Sequence, residues 1–182
     1  MILPIYAFGH PVLRQKTREI EAPSDAVLKL IEDMFETMYN ASGVGLAAPQ
    51  IGKALRLFIV DTVQIDKEKD GIKRAFINPQ MLDESGEPWD YEEGCLSIPD
   101  INGDVTRPPD IRIKYYDTAF QLHEETFTGM DARVIQHEYD HIEGILFTDL
   151  LKPLKKKRVQ KKLDKIKQAK INLKYPMVFA RF

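Results

Sequence analysis

Gln136-His137-Glu138-Tyr139-Asp140-His141 sets two imidazoles one helical turn apart with a carboxylate between them, an H-E-x-x-H pattern. On an α-helix, residues four apart share a face, so His137 and His141 direct ring nitrogens at a single ion. Glu138 adjoins the first of them, placed to take a proton from water at that ion rather than to bind the metal itself. The flanks predict the helix. Thr128 with Asp131 three residues on reads as a capping-box start, and Gly144 just past His141 reads as a stop. Met130 and Val134 fall seven and three residues before His137 and share its face, so an apolar pocket is expected beside the ion.

Two histidines leave a metal site short of a ligand. In metallopeptidases with H-E-x-x-H-x-x-G-x-x-H the third ligand lies six residues beyond the second His; here His141-x-x-Gly144 matches but the last position is Phe147, which cannot ligate. The remaining residue with soft-ligand chemistry is Cys95, in Glu92-Glu93-Gly94-Cys95-Leu96-Ser97. His10, in a Gly-His-Pro turn, and His123, in a polar strand-like run, are weaker candidates.

Composition bounds the rest. At 182 residues and 43% apolar the chain is long enough for one good core, and residues 1 to 182 are expected to form a single domain. No apolar run reaches membrane-spanning length, and Met1-Ile2-Leu3-Pro4-Ile5 has no basic region followed by a long apolar run, so a cytoplasmic protein is expected. A single cysteine excludes an internal disulfide and fits a reducing compartment. The net charge of -2 conceals an asymmetry: residues 151 to 182 hold twelve Lys and Arg against one acid, Asp164, and residues 1 to 150 hold fourteen basic against twenty-seven acidic residues.

Outward from the motif, Val27, Leu30, Ile31, Met34, Phe35 and Met38 recur at helical spacing behind Ser24 or Asp25 as cap, predicting an amphipathic helix over 25 to 41. The run 41 to 52, with two glycines and a proline among small residues, suits neither a regular helix nor an ordinary strand and admits close approach of another backbone or a ligand. It lacks the endings of a phosphate loop or a dinucleotide fingerprint. Arg56 to Asp61 reads as a buried strand, Gln64 to Lys73 as an exposed loop, and Arg74 to Pro79 as a strand ended by Asn78-Pro79. Asp104 to Arg107, Ile111 to Asp117 and Ala119 to Phe127 complete the strand pattern. Strands joined by short polar turns predict an α+β fold, mostly antiparallel sheets packed around a central metal-binding helix. From Lys155 a basic C-terminal helix follows with Val159, Leu163 and Ile166 as a thin apolar stripe, and Tyr175 to Phe182 is expected to fold back onto the body. A solvated helix is the default reading of that charge run; contact with a polyanion such as ribosomal RNA is the alternative.

Three separated motifs, Gly43-Val44-Gly45-Leu46-Ala47-Ala48-Pro49-Gln50, Glu93-Gly94-Cys95-Leu96-Ser97 and Gln136-His137-Glu138-Tyr139-Asp140-His141, resemble in order and spacing the signature motifs of the peptide deformylases. The resemblance implies a monomeric enzyme that removes the formyl group from the N-terminal formyl-methionine of nascent polypeptides. It implies that Cys95, His137 and His141 hold the metal, that Glu138 is general base and then acid, and that the Gln50 amide and the Leu96 N–H bind the formyl oxygen. It further implies that Gly45 pairs by backbone with the extended substrate and that Val44, Tyr91, Met130, Val134 and the His137 ring line the methionine pocket. Glu93 and Arg107 are expected to meet and orient the cysteine loop. Arg133 departs from the apolar residue of some relatives and is expected to lay its stem along the substrate with its head in water. The resemblance implies iron(II), and a thiolate in the donor set is compatible with zinc, nickel or cobalt as replacements.

Two other readings stay open on sequence. An endopeptidase of H-E-x-x-H type is disfavoured by Phe147 and by the Cys95 motif. A metal-binding module that contacts the ribosome through its basic tail has no need of Glu138 or Gln50.

Overall fold

The computed structural model describes residues 1–65 and 70–181. In chain order it comprises β1 (Ile5–Tyr6), α1 (Asp25–Asn40), β2 (Gly45–Ala47), a 3-10 turn (Ala48–Ile51), β3 (Leu57–Asp61), β4 (Lys73–Ser85), β5 (Trp89–Cys95), β6 (Ile98–Arg107), β7 (Asp110–Tyr116), β8 (Leu122–Thr128), α2 (Gly129–Ile142), a 3-10 turn (Phe147–Leu150), α3 (Pro153–Lys167) and β9 (Met177–Val178). β2, β3, β4, β7 and β8 form an antiparallel sheet in that spatial order, and β5 pairs antiparallel with β6. The fold is α+β, as expected.

The central sheet is covered on both faces, which is why β3 reads as an unbroken apolar run. Side chains alternate across a strand, so Phe58 and Val60 join Ile135 and Ile142 of α2 in one core, and Leu57 and Ile59 join Ile31, Met34 and Met38 of α1 in another. A third core, under β6, takes the stripe Val159, Leu163 and Ile166 of α3. Burying each such aliphatic side chain contributes about 1.5–3 kcal/mol. α2 therefore lies against the sheet with its motif face turned toward the β5–β6 hairpin.

Four local expectations are corrected. β4 does not stop at Asn78-Pro79 but runs on to Ser85, because a bulge between Ile77 and Gln80 absorbs the proline where no ladder donor is needed. Asn78 takes a left-handed φ of 50° there, and its side-chain amide bonds the backbone of Ile20 in both directions. The strand expected over 104 to 107 begins six residues earlier, at Ile98, and its partner β5 carries too little alternation to be read as a strand. Thr128 does precede α2 but makes no side-chain cap; Asp131 instead accepts from the Thr62 hydroxyl at 2.6 Å, which ties the helix start to the end of β3. The loop expected over 64 to 73 falls partly on residues 66–69, outside the described residues, and Lys73 already belongs to β4.

The C-terminal segment does return to the body: β9 lies parallel to β1, with Ile5 and Ala7 N–H groups donating to the carbonyls of Pro176 and Val178. No helix among the described residues is long and apolar enough to cross a membrane.

Candidate active site

His137 and His141 project from the same face of α2, and the turn after β5 brings Cys95 to them. The sulfur and one nitrogen of each ring lie within 4.8 Å of one another. Cys95 Sγ stands 3.3 Å from His141 Nε2; an ion bonded to sulfur at about 2.3 Å and to nitrogen at about 2.1 Å in tetrahedral geometry spaces such atoms by roughly 3.6 Å, so the donor set fits one.

Glu93 Oε1 accepts from His137 Nδ1 at 2.9 Å, which turns Nε2 toward the cluster. Burial works against a charge on His137, yet its hydrogen bonds to Cys95 and Glu93 outweigh this and hold its pKa well above the usual histidine range. Burial, reinforced by the charge of His137, pushes His141 well below that range.

Glu138, next on the helix, points into the cavity and is 4% exposed. One of its oxygens, Oε2, is buried and has no partner among the described residues. Burial raises its pKa from 4.5 to about 7, a value suited to moving a proton near neutrality. Gly45 backs it directly. A Cβ on that glycine would stand 2.6 Å from Glu138 Oε1, so only a bare backbone lets edge strand β2 pass the carboxylate.

Gln50 is fixed in orientation. Its Oε1 accepts the Ala47 N–H at 2.9 Å, so its Nε2 faces the site, donating to Ser97 Oγ at 3.1 Å and toward Cys95 Sγ at 3.4 Å. Leu96 occupies the two-residue turn between β5 and β6. These groups share a cavity of about 610 Å³ whose lining includes Val44, Gly45, Gln50, Tyr91, Glu93, Cys95, Leu96, Met130, Arg133, Val134, His137 and Glu138. His141 and Arg107 do not line it; both are buried behind that wall.

Behind Cys95 and His137 lies an ion cluster that sequence reasoning grasped only in part. Arg107 donates to both Glu93 oxygens at 2.7 and 3.0 Å and to Asp140 at 2.8 Å. Arg133 does not reach water. It is 2% exposed, donates to Glu93 at 2.9 Å and to the carbonyls of Val105 and Trp89, and lies 4.5 Å from the Trp89 ring centre. The signal for it was an arginine at an inward helix position among Ala132, Val134 and Ile135, where a charge persists only if paired. Asp140, Ser97 and Tyr175 were also missed. Of the other histidines, His10 caps the turn at Pro11–Arg14 and His123 pairs with Asp117, both away from the site.

The sequence model described as polypeptide deformylase matches residues 2–157. The chain belongs to the polypeptide deformylase family. This deformylase is 52% identical over 180 residues to the peptide deformylase of Cytophaga hutchinsonii, covering 98% of both chains. It is 50% identical to that of Christiangramia forsetii, over 98% of this chain and 96% of the other. The crystal structure of a peptide deformylase from Legionella pneumophila superposes with a TM-score of 0.83 at 39% identity, over 93% of this chain and 98% of that one. Membership makes this deformylase a metal-dependent hydrolase that removes the N-terminal formyl group from nascent peptides.

Proposed function

We propose that the chain carries out deformylation of formyl-methionyl peptides with Cys95, His137 and His141 holding one iron(II) ion, for which zinc, nickel and cobalt are replacements. The bound ion supplies Lewis acidity and makes water reactive near neutral pH. Glu138 takes a proton from water as it attacks the formyl carbon, then gives it to the leaving amine nitrogen, and formate departs. Gln50 Nε2 and the Leu96 N–H donate to the formyl oxygen as charge builds on it; such a donor is typically worth about 3 kcal/mol of barrier. Val44, Tyr91, Met130 and Val134, with the ring of His137, enclose the methionine side chain, and β2 at Gly45 offers its free edge to the extended peptide. Glu93 and Arg107 keep the His137 ring in place.

The observation that carries this reading is the buried Glu138 oxygen, without a partner among the described residues, in a cavity shared with Cys95, His137 and the oriented Gln50 amide, with His141 Nε2 3.3 Å from the Cys95 sulfur. Formate release from formyl-Met-Ala-Ser, measured on protein purified without oxygen and assayed for metal, tests it. Turnover by an iron-loaded sample that fades in air is expected. No formate despite one equivalent of metal overturns the assignment.

The chain is taken to act in the cytoplasm as a monomer, with the basic face of α3 against ribosomal RNA. Exposed Lys155, Lys156, Lys157, Arg158, Lys161 and Lys162 support the RNA contact. Sedimentation with ribosomes at low salt, lost at high salt, is the expected behaviour; failure to co-sediment at low salt removes the contact.

A further inference from the structure

Residues beyond 157 lie outside the family match, yet the segment after α3 reaches the substrate cavity, where Lys174 and Tyr175 form part of the wall. The Tyr175 hydroxyl donates to the carbonyl of Leu96 at 2.6 Å, a strong and half-buried bond. Its neighbour in the turn is held in the same way: the Phe8 N–H donates to the Ser97 carbonyl at 2.8 Å. The segments bearing these two donors are themselves joined by the β1–β9 pairing. The Leu96 side chain is seated as well, since a Cβ on Gly43 would stand 2.7 Å from its Cδ1. The turn between β5 and β6 is thus pinned through one side chain and two successive carbonyls.

We propose that Tyr175 is a positioning residue for deformylation: by holding the Leu96 carbonyl it fixes the Leu96 backbone, and so aims the Leu96 N–H at the formyl oxygen. This rests on the proposed role of that N–H. A donor preorganised toward developing charge stabilises the transition state more than the ground state, so loosening it lowers kcat and leaves KM nearly alone. A bond that served only to dock the C-terminal segment would alter stability and not that ratio.

The test is Tyr175→Phe in the full chain loaded with metal, beside wild type and Leu173→Ala, an exposed position on the same segment. Expected are a kcat about tenfold lower at temperatures well below unfolding, a KM within about twofold, and an unaltered Leu173→Ala enzyme. Amide hydrogen exchange supplies a readout independent of turnover: the Phe8 N–H, which donates to the Ser97 carbonyl of the same turn, exchanges at least about tenfold faster in Tyr175→Phe, and Ile59 in the central sheet does not. If Tyr175→Phe fails to fold, Tyr175→Met, which also lacks the hydroxyl, takes its place with the same expectations. An active wild type with kcat and Phe8 exchange unchanged in the variant overturns the inference alone. A wild type that releases no formate removes the deformylation reading itself.

Discussion

Glu138→Gln is expected to lower formate release about 10³-fold while the protein keeps its metal, because the substitution removes the proposed proton acceptor and leaves Cys95, His137 and His141 in place. The amide is nearly isosteric with the carboxylate, so the contact with the Gly45 backbone survives. The same variant should be more stable than wild type once metal has been chelated. Burial raises the Glu138 pKa from 4.5 in the unfolded chain to about 7 in the folded one. A raised carboxyl pKa means that folding is opposed wherever the unfolded chain ionises first, from pH 4.5 upward, with the full cost reached above about 7. That cost is roughly 3 kcal/mol, and Gln does not incur it. Urea unfolding of the chelated proteins at pH 8 and at pH 4 measures the difference, which should be present at the first and nearly absent at the second. Opposite movement of activity and stability marks a group retained for chemistry rather than for packing. A variant with near-normal turnover, or one that loses its metal, would assign Glu138 another role.

How much of this was legible in the sequence depends on the range of the interactions involved. α1 was readable because its apolar spacing and its Ser24 cap are local, and the cap does accept from Val27 N–H. The His137-Glu138-His141 face follows from helix geometry alone. Cys95 had to be reached by exclusion of other ligand chemistry, and the fold supplies what exclusion could not, the β5–β6 turn that carries it to α2. β5 stayed hidden because a hairpin lying on a cavity rim buries almost nothing but Glu93 along its length, so the period-2 signal is absent. The Asn78-Pro79 bulge was hidden for a different reason. Its compensation comes from Ile20, fifty-eight residues away, and no local pattern announces it. Arg133 was misread because its partners, Glu93, Val105 and Trp89, belong to that unrecognised hairpin. A buried arginine is defined by what surrounds it, and a long flexible side chain on a cavity wall otherwise favours water.

Glu93→Ala is expected to cost about 3–5 kcal/mol of folding stability, the largest single loss we anticipate in this chain. Glu93 is 5% exposed and meets three cationic or hydrogen-donating groups at once, Arg107, Arg133 and His137. Removing it leaves Arg107 with Asp140 alone and Arg133 buried with only the Val105 and Trp89 carbonyls, and frees the His137 ring to turn. Metal affinity should fall with stability, by about 10–100-fold, as is usual when the group orienting a ligating histidine is lost. The pH dependence of the wild type provides an independent check. Burial alone would raise the Glu93 pKa, but hydrogen bonds from His137 and Arg107 and the charge of Arg107 outweigh it and depress the value from 4.5 to about 2. A depressed carboxyl pKa contributes stability that is fully present above 4.5 and is lost as pH falls through about 2, roughly 3 kcal/mol in all. Denaturant midpoints measured from pH 6 down to pH 2 should therefore fall more steeply for wild type than for Glu93→Gln, since the amide has no proton to gain. Parallel curves for the two proteins would mean that Glu93 is not ionised in the fold. The cluster would then be held by Asp140 and the hairpin carbonyls instead.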